Sequence, residues 1–383
     1  VHTLTFFPLG NADCTRIELE NCRQLLFDYG NQGDPDENND KRIDLATRLR
    51  EDLQNAKRDY YDIVAFTHLD DDHICGAPDF FYLEHAKKYQ DDERIKINEL
   101  WVPAAVIIDD QTEGDAAVIQ AEARYRFKQK KGIRVFSRPD RLKEWVEKQG
   151  LKFEEHKDLI TDAGNLIPGF GKDKDGVEFF VHSPFAEHID DKTVVDRNEA
   201  ALVVQATFLV QRGETRLILG ADTTHDVWTS IVKTTKAHGR EQRLAWDLFK
   251  LPHHCSYLTL SAEKGKDKTK PDPDVKWLFE TQGAESCTII SSSDPIPTSD
   301  TDQPPHRQAA NYYKDVVAGK GGDFMVTMQH PDADAPEPIV ITIEEGGQQY
   351  QPPKQTTGKT LVAAIGAARP RDQAPTQRVG FGR

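Results

Sequence analysis

The chain has 383 residues and a formal net charge of −15, with 37% apolar and 30% charged residues, a balance that fits a globular protein with a well-solvated surface. No stretch approaches the roughly eighteen consecutive apolar residues that a membrane-crossing helix needs, so no membrane partner is expected. The acidity argues against a protein coated in nucleic acid, whose phosphates demand cations, although a bound metal supplies positive charge that the formal count omits. The N-terminal VHTLTFFPLG has no basic segment and no small-residue cleavage site, so no signal peptide is expected. Five cysteines, Cys14, Cys22, Cys75, Cys255 and Cys287, match no zinc-knuckle spacing. A reducing, cytoplasmic setting is the simplest expectation.

In chain order, HTLTFF, CTRIEL and QLLFDY are short apolar or alternating runs parted by GNAD and ENC turns, and read as strands. After a polar loop, Ile43, Ala46, Leu49 and Leu53 have helical spacing over 41–57. DIVAFTH reads as a buried strand, 78–88 as a helix and ELWVP as a strand. Helices are predicted near 113–130 and 140–148, then a Gly-rich stretch near 163–176. Strands return with VEFFVHS, AALVVQATFLVQ and TRLILGAD, the last two forming a hairpin that turns at Arg212-Gly213-Glu214. A helix over 225–237, a second at LAWDLF and a strand FKLPHH follow. The stretch 261–275 reads as an exposed loop, SCTIISS as a strand, 306–318 as a helix, and DFMVTM and IVITIE as strands. Such an order fits two packed sheets with helices outside.

The strongest chemical signal is Thr67-His68-Leu69-Asp70-Asp71-Asp72-His73, directly after a buried strand. Imidazole and carboxylate together suit zinc, manganese or iron. A loop leaving a strand can turn His68 and Asp70 to one side while Asp72 and His73, opening a helix, turn to the other. A solvated acidic loop is the bland alternative, made less attractive by a histidine at each end. Asp222, just past TRLIL, reads equally as a carboxylate bridging two cations or as a helix N-cap. His253 and His254 follow another strand; adjacent residues point apart, so one of them binds metal while the other holds substrate or a supporting partner, unless both simply lie on the surface.

These elements together resemble the metallo-β-lactamase superfamily. HLDDDH stands where that superfamily has its His-x-His-x-Asp-His signature, and LGAD where it has a later bridging Asp. The order is also similar to the ComEC-like hydrolase subgroup, through GNADCTRIEL, LLFDYG, THLDDDHICG, the Asn198-containing NEAALVV, LILGAD, FKLPHHCS, and SSSD followed by Pro305-His306. The likeness spans roughly residues 3–320, leaving 104–175 and the tail unmatched.

The resemblance implies an α/β fold: a four-layer αββα metallo-β-lactamase sandwich of mixed sheets with helices on the outer faces. It implies one hydrolase domain over 1–345 with an insertion about 104–175, and the Gln-, Pro- and Gly-rich remainder, 346–383, is expected to be a flexible tail. It also implies two divalent metal ions, zinc or manganese. His68 and Asp70 would hold one; Asp72 and His73 would hold the other with His253 or His254; Asp222 would bridge. His182, in FFVHSP, is the best candidate for the histidine usually found between the signature and the bridging Asp. Asp13 and Asp28 would support the loop edge. With His253 taken as the ligand, Asp72, His254 and His306 form the expected catalytic set. Asp70 departs from the superfamily's second histidine and favours a harder metal such as manganese. Cys75 and Cys255 replace glycines and read as core filler, as thiolates beside the metals, or as a redox pair. The expected activity is hydrolysis of a phosphodiester, with nucleic acid cleavage the leading reading and a small phosphodiester the other. The alternative is a non-catalytic or regulatory subunit of a larger assembly, with a protein partner.

Overall fold

The computed structural model describes residues 1–34, 37, 39–190 and 195–353. The first half of the chain supplies β1 (His2–Phe6), β2 (Thr15–Glu18), β3 (Gln24–Phe27), β4 (Tyr60–Ala65), β5 (Lys96–Pro103), β6 (Ile133–Phe136) and β7 (Ile160–Thr161). Then come β8 (Val177–Ser183), β9 (Val203–Val210), β10 (Gly213–Leu219), β11 (Trp246–Lys250), β12 (Gly283–Ser291) and β13 (Asp323–Val326), and finally β14 (Ile339–Glu344) and β15 (Gly347–Gln351). They form a nine-stranded sheet, β15-β14-β1-β2-β3-β4-β5-β6-β7, and a six-stranded sheet, β13-β12-β11-β10-β9-β8. Both are mixed: β3 to β7 run parallel in one, β10 to β13 in the other, and the remaining pairs are antiparallel.

Strand alternation sorts the core into three slabs. Leu4, Phe6, Leu25, Phe27 and Trp101 from the first sheet meet Phe179, Val181, Val204, Leu217 and Leu248 from the second. On the far side of the first sheet, Leu26, Val64 and Leu100 pack against Leu45, Leu49 and Leu53 of the helix Leu45–Asn55 and against the helices Gly114–Gln129 and Asp140–Lys148. On the far side of the second, Ile218, Phe249 and Ile289 pack under the helices His225–Ala237, Pro273–Gln282 and Arg307–Gly319. The layers therefore run helices, sheet, sheet, helices, the αββα arrangement expected from the sequence. The i, i+4 spacing of Leu45, Leu49 and Leu53 places all three on the buried stripe, each contributing about 1.5–3 kcal/mol.

Several local expectations give way to tertiary pairing. LAWDLF is not a helix: Trp246–Lys250 is β11, held between β10 and β12. A parallel strand covered on both faces is apolar on both faces, so its period is hidden. The region 78–88 is α-helical only over Ala77–Phe80, with a 3-10 turn beginning at Lys87, because Phe81 pairs with Ile95 as extended chain. The loop after 261 ends sooner than expected, with Pro273 opening a helix. The stretch 104–175 adds β6 and β7 to the edge of the first sheet and covers its outer face with two helices. Residues 347–351 form an edge strand; the tail expected beyond them lies outside the described residues from 354 onward. No described helix is long and apolar enough to cross a membrane.

Candidate metal centre

The carboxyl ends of β3 and β4 in one sheet and of β10, β11 and β12 in the other open onto one rim, the usual place for a site in an open α/β sheet. From β3 comes Asp28, from β4 His68 and the turn Asp71–Ile74, from β10 Asp222, and from β11 His253 and His254. Several of these positions adopt left-handed backbone: Asp28 (φ 61°), Ala221 (φ 51°), His253 (φ 47°), His254 (φ 51°) and Cys255 (φ 63°). Non-glycine residues held there cost of order 1–3 kcal/mol each and concentrate at functional sites.

Three histidines share one logic. Asp28 accepts the Thr67 backbone N–H at 2.7 Å, the Thr67 hydroxyl at 2.8 Å and His73 Nδ1–H at 2.8 Å. With its hydroxyl donated to Asp28, Thr67 Oγ1 accepts from His68 Nδ1–H at 3.1 Å. His254 Nδ1–H donates to the Ser292 carbonyl at 2.8 Å. Each Nδ1 is thus committed to the protein, and each Nε2 is turned toward carboxylates. His73 Nε2 stands 3.1 Å from Asp222 Oδ1, and His254 Nε2 stands 2.8 Å from Asp72 Oδ2 and 3.7 Å from Asp222 Oδ2. His68 Nε2 and His73 Nε2 are buried without a hydrogen-bond partner. Fixing one imidazole nitrogen so that the other presents its lone pair is how proteins build histidine metal ligands.

Two groups of ligand atoms converge within 4.8 Å: Asp13, His73, Asp222 and His254, and His68, Asp72 and His73. The donor set and the unpartnered buried nitrogens fit a divalent cation. Both groups draw on His73, whose Nδ1 is committed to Asp28, so its one remaining nitrogen can serve one cation. The group with Asp222 and His254 is the more complete.

Electrostatics agree. Burial opposes charge on His73, but Asp222, Asp28 and Asp72 outweigh it and raise the imidazole well above the ordinary histidine range. Burial likewise opposes charge on His254, and Asp222 and Asp72 raise it. Burial alone would raise the two carboxyls, yet His73 and His254 hold Asp72 near 2 and Asp222 well below the carboxylate range. Protons on the imidazoles balance these acids; a cation would displace them, so its affinity should rise with pH.

No protein-family model matches the sequence, and no curated protein matches it. Among solved structures, the chain is similar to a diphosphatase of the PhnP family, at 12% identity over 79% of this chain and 92% of that one (TM-score 0.29). It is similar to unliganded yeast PDE1 at 10% identity over 85% and 96% (TM-score 0.40). It is also similar to a long form of RNase Z from yeast at 10% identity over 76% of this chain and 40% of that one (TM-score 0.25).

Of the residues expected at the site, His68, Asp72, His73, Asp222 and His254 come together. Asp222 is not an N-cap: Thr224 precedes the helix His225–Ala237. Of the histidine pair, His254 joins the cluster and His253 does not. The His253 ring keeps a buried, unpartnered Nδ1, while its backbone N–H donates to Asp222 Oδ1 at 3.1 Å. Asp70 stays at the margin, 3.6 Å from His68 Nε2, with its carboxylate paired to Arg197 at 3.0 Å. His306 is turned into its own loop, accepting from Tyr257 N–H and facing the Asp302 carbonyl, both at 3.4 Å.

His182 does not reach the centre. Phe179 and Val181 fill the space between the sheets, so alternation sends His182 to the opposite face. There it lines a cavity of about 230 Å³ with Phe180, Phe185 and His238. Cys255 packs in the outer apolar slab, and burial pushes its thiol far up; Cys75 is half-buried, its thiol raised by burial and by Asp71. Neither belongs to a converging group among the described residues. Sequence reasoning missed Thr67, Arg197 and Lys250. Lys250 had a signal: a lysine inside the apolar run FKLP, at a strand end, demands a buried partner.

Proposed function

We propose that the protein is a metal-dependent hydrolase of the metallo-β-lactamase type, cleaving phosphodiesters. The observation that carries this is the convergence of His68, His73 and His254, each with its Nδ1 committed to the protein, on the half-buried carboxylate of Asp72 and the buried one of Asp222. His68, His73, His254, Asp72 and Asp222 would hold the metal, zinc or manganese by the mixed imidazole and carboxylate donors. A divalent cation there supplies neutralisation of developing negative charge and lowers the pKa of water from near 16 toward about 7. Asp28 and Thr67 keep His73 and His68 in the ligating tautomer, and the Ser292 carbonyl does the same for His254. His253, which stays out of the converging ligands, would be the proton donor to the leaving oxygen. The net charge of −15 favours a small phosphodiester over a long nucleic acid. Five free cysteines are consistent with a reducing, cytoplasmic setting.

A second reading, a regulatory subunit with a protein partner and one structural cation, is favoured by Asp70. Its Oδ1 is drawn to Arg197 at 3.0 Å, at the margin of the cluster that His73, Asp222 and His254 form. The test is hydrolysis of bis(4-nitrophenyl) phosphate, single-stranded DNA and duplex DNA with added manganese or zinc. Turnover should require metal and fall at least about 10³-fold in Asp72→Ala, a loss of the size expected when a metal site is broken. Stoichiometric metal with no turnover on any of the three would sink the hydrolase and leave the regulatory reading.

A further inference from the structure

Lys250 is 4% exposed and Asp13 2% exposed, and they form an ion pair between the two sheets. Leu248 of β11 faces the slab between the sheets and Phe249 the outer one, so Lys250, the last residue of the strand, points inward at the floor of the centre. Asp13 comes from the loop between β1 and β2, in the other sheet. Its backbone is stitched into the site: its N–H donates to the Asp72 carbonyl at 2.9 Å, and its own carbonyl accepts from Gly30 N–H at 2.9 Å. Only glycine allows that approach, since a Cβ at residue 30 would stand 1.9 Å from the Asp72 carbonyl oxygen. The Asp13 carboxylate is therefore tied at both ends, by backbone to the turn that carries Asp72 and by side chain to β11.

Its two oxygens are not equivalent. Oδ2 takes the Lys250 ammonium and lies 3.7 Å from His73 Nε2, while Oδ1 is buried with no partner. A carboxylate can accept one cation at each oxygen, and Asp13 already converges with His73, Asp222 and His254. We propose that Asp13 is an additional ligand of the metal centre and that Lys250 is the positioning residue that holds it there. This rests on the metal-centre reading above, and it adds a ligand from the loop between β1 and β2, in the same sheet as the signature loop and opposite β11. The centre then clamps the two sheets together at their rim, with Lys250 as a fixed cation beside the exchangeable one.

The test is a competition titration of zinc against a chromogenic chelator, on the full chain, with thermal melting in excess chelator as a separate readout. Asp13→Asn keeps an acceptor for Lys250 but removes the anionic ligand; Lys250→Met keeps the stem and removes the grip. Each should weaken zinc about 10–100-fold, the range for residues that orient or complete a metal site. Because Lys250 acts through Asp13, the double variant should bind zinc no more weakly than Asp13→Asn alone. A purely structural ion pair would instead lower the melting temperature in chelator while leaving zinc affinity within about threefold, and that result overturns the proposal. An unchanged affinity in Lys250→Met beside a weakened Asp13→Asn overturns the role of Lys250. If Lys250→Met fails to fold, Asp13→Asn alone decides the ligand. A wild-type chain that takes up no zinc or manganese overturns the metal-centre reading and this inference with it.

Discussion

At Cys255 the backbone has φ 63°, a conformation open to glycine and strained for any other residue. The side chain is fully buried in the slab beneath the helix Arg307–Gly319, so burial offsets a strain of about 1 kcal/mol. In an ordinary helix or strand, glycine is less stable than alanine by roughly 0.5–1 kcal/mol. Here the order should invert: Cys255→Ala keeps the strain and loses the sulfur, whereas Cys255→Gly relieves the strain. Chemical denaturation should find the glycine variant about 1 kcal/mol more stable than the alanine variant; equal values or the ordinary order would show that the backbone is not strained. The sequence already marked this position as one where glycine is replaced, and the coordinates supply the reason why glycine fits it.

At the scale of elements, the helix Gly114–Gln129 is anchored by charge as well as by apolar contact. Glu122 is fully buried and accepts from Arg126 Nε at 2.6 Å, from the backbone N–H groups of Glu84 and His85 at 3.0 and 2.9 Å, and pairs with the His85 ring at 2.9 Å. Burial would raise its carboxyl, but Arg126 and the two N–H donors hold it below the usual range. Removing one partner of such a pair leaves the other charged and buried, at a cost of about 3–5 kcal/mol. Glu122→Ala should therefore lower unfolding free energy by that amount, and a loss under 1 kcal/mol would mean the network contributes little. The helix itself was legible over 113–130, but its anchoring was not: a Glu and an Arg four residues apart look like a surface pair until the fold buries them. The same limit explains the strand Trp246–Lys250. Its two neighbours in the sheet come from elsewhere in the chain, and without them the short run WDLFK, apolar apart from Asp247 and Lys250, has no readable period.

For the whole molecule, buried histidines set part of the response to pH. His2 and His182 lie under 4% exposed. Burial pushes each down to about 4 from an ordinary value near 6.5. A group whose folded pKa is depressed contributes stability that is present above 6.5 and lost as pH falls through the folded value, because the unfolded chain binds the proton first. Urea unfolding between pH 7 and 4 should show a progressive loss, with His182 responsible for about 3 kcal/mol of it. His182→Asn should remove that share of the slope while leaving metal binding intact, since residue 182 faces away from the centre; an unchanged slope would mean the ring is protonated in the fold.

The sequence by itself determined the layered α/β class, the helices over 225–237 and 306–318, and, through the family resemblance, the grouping of His68, Asp72, His73, Asp222 and a histidine from the pair at 253 and 254. These are local signals: apolar period, turn residues, and chelating groups placed just after buried strands. Only the tertiary structure decided that His254 rather than His253 turns inward, that Arg197 takes Asp70, that His182 faces the outer helices, and that Lys250 meets Asp13 across 237 residues of chain. Each of those outcomes depends on which face of a strand points at the other sheet and on what the other sheet brings to meet it. A spacing rule within one segment carries no information about a partner supplied by another.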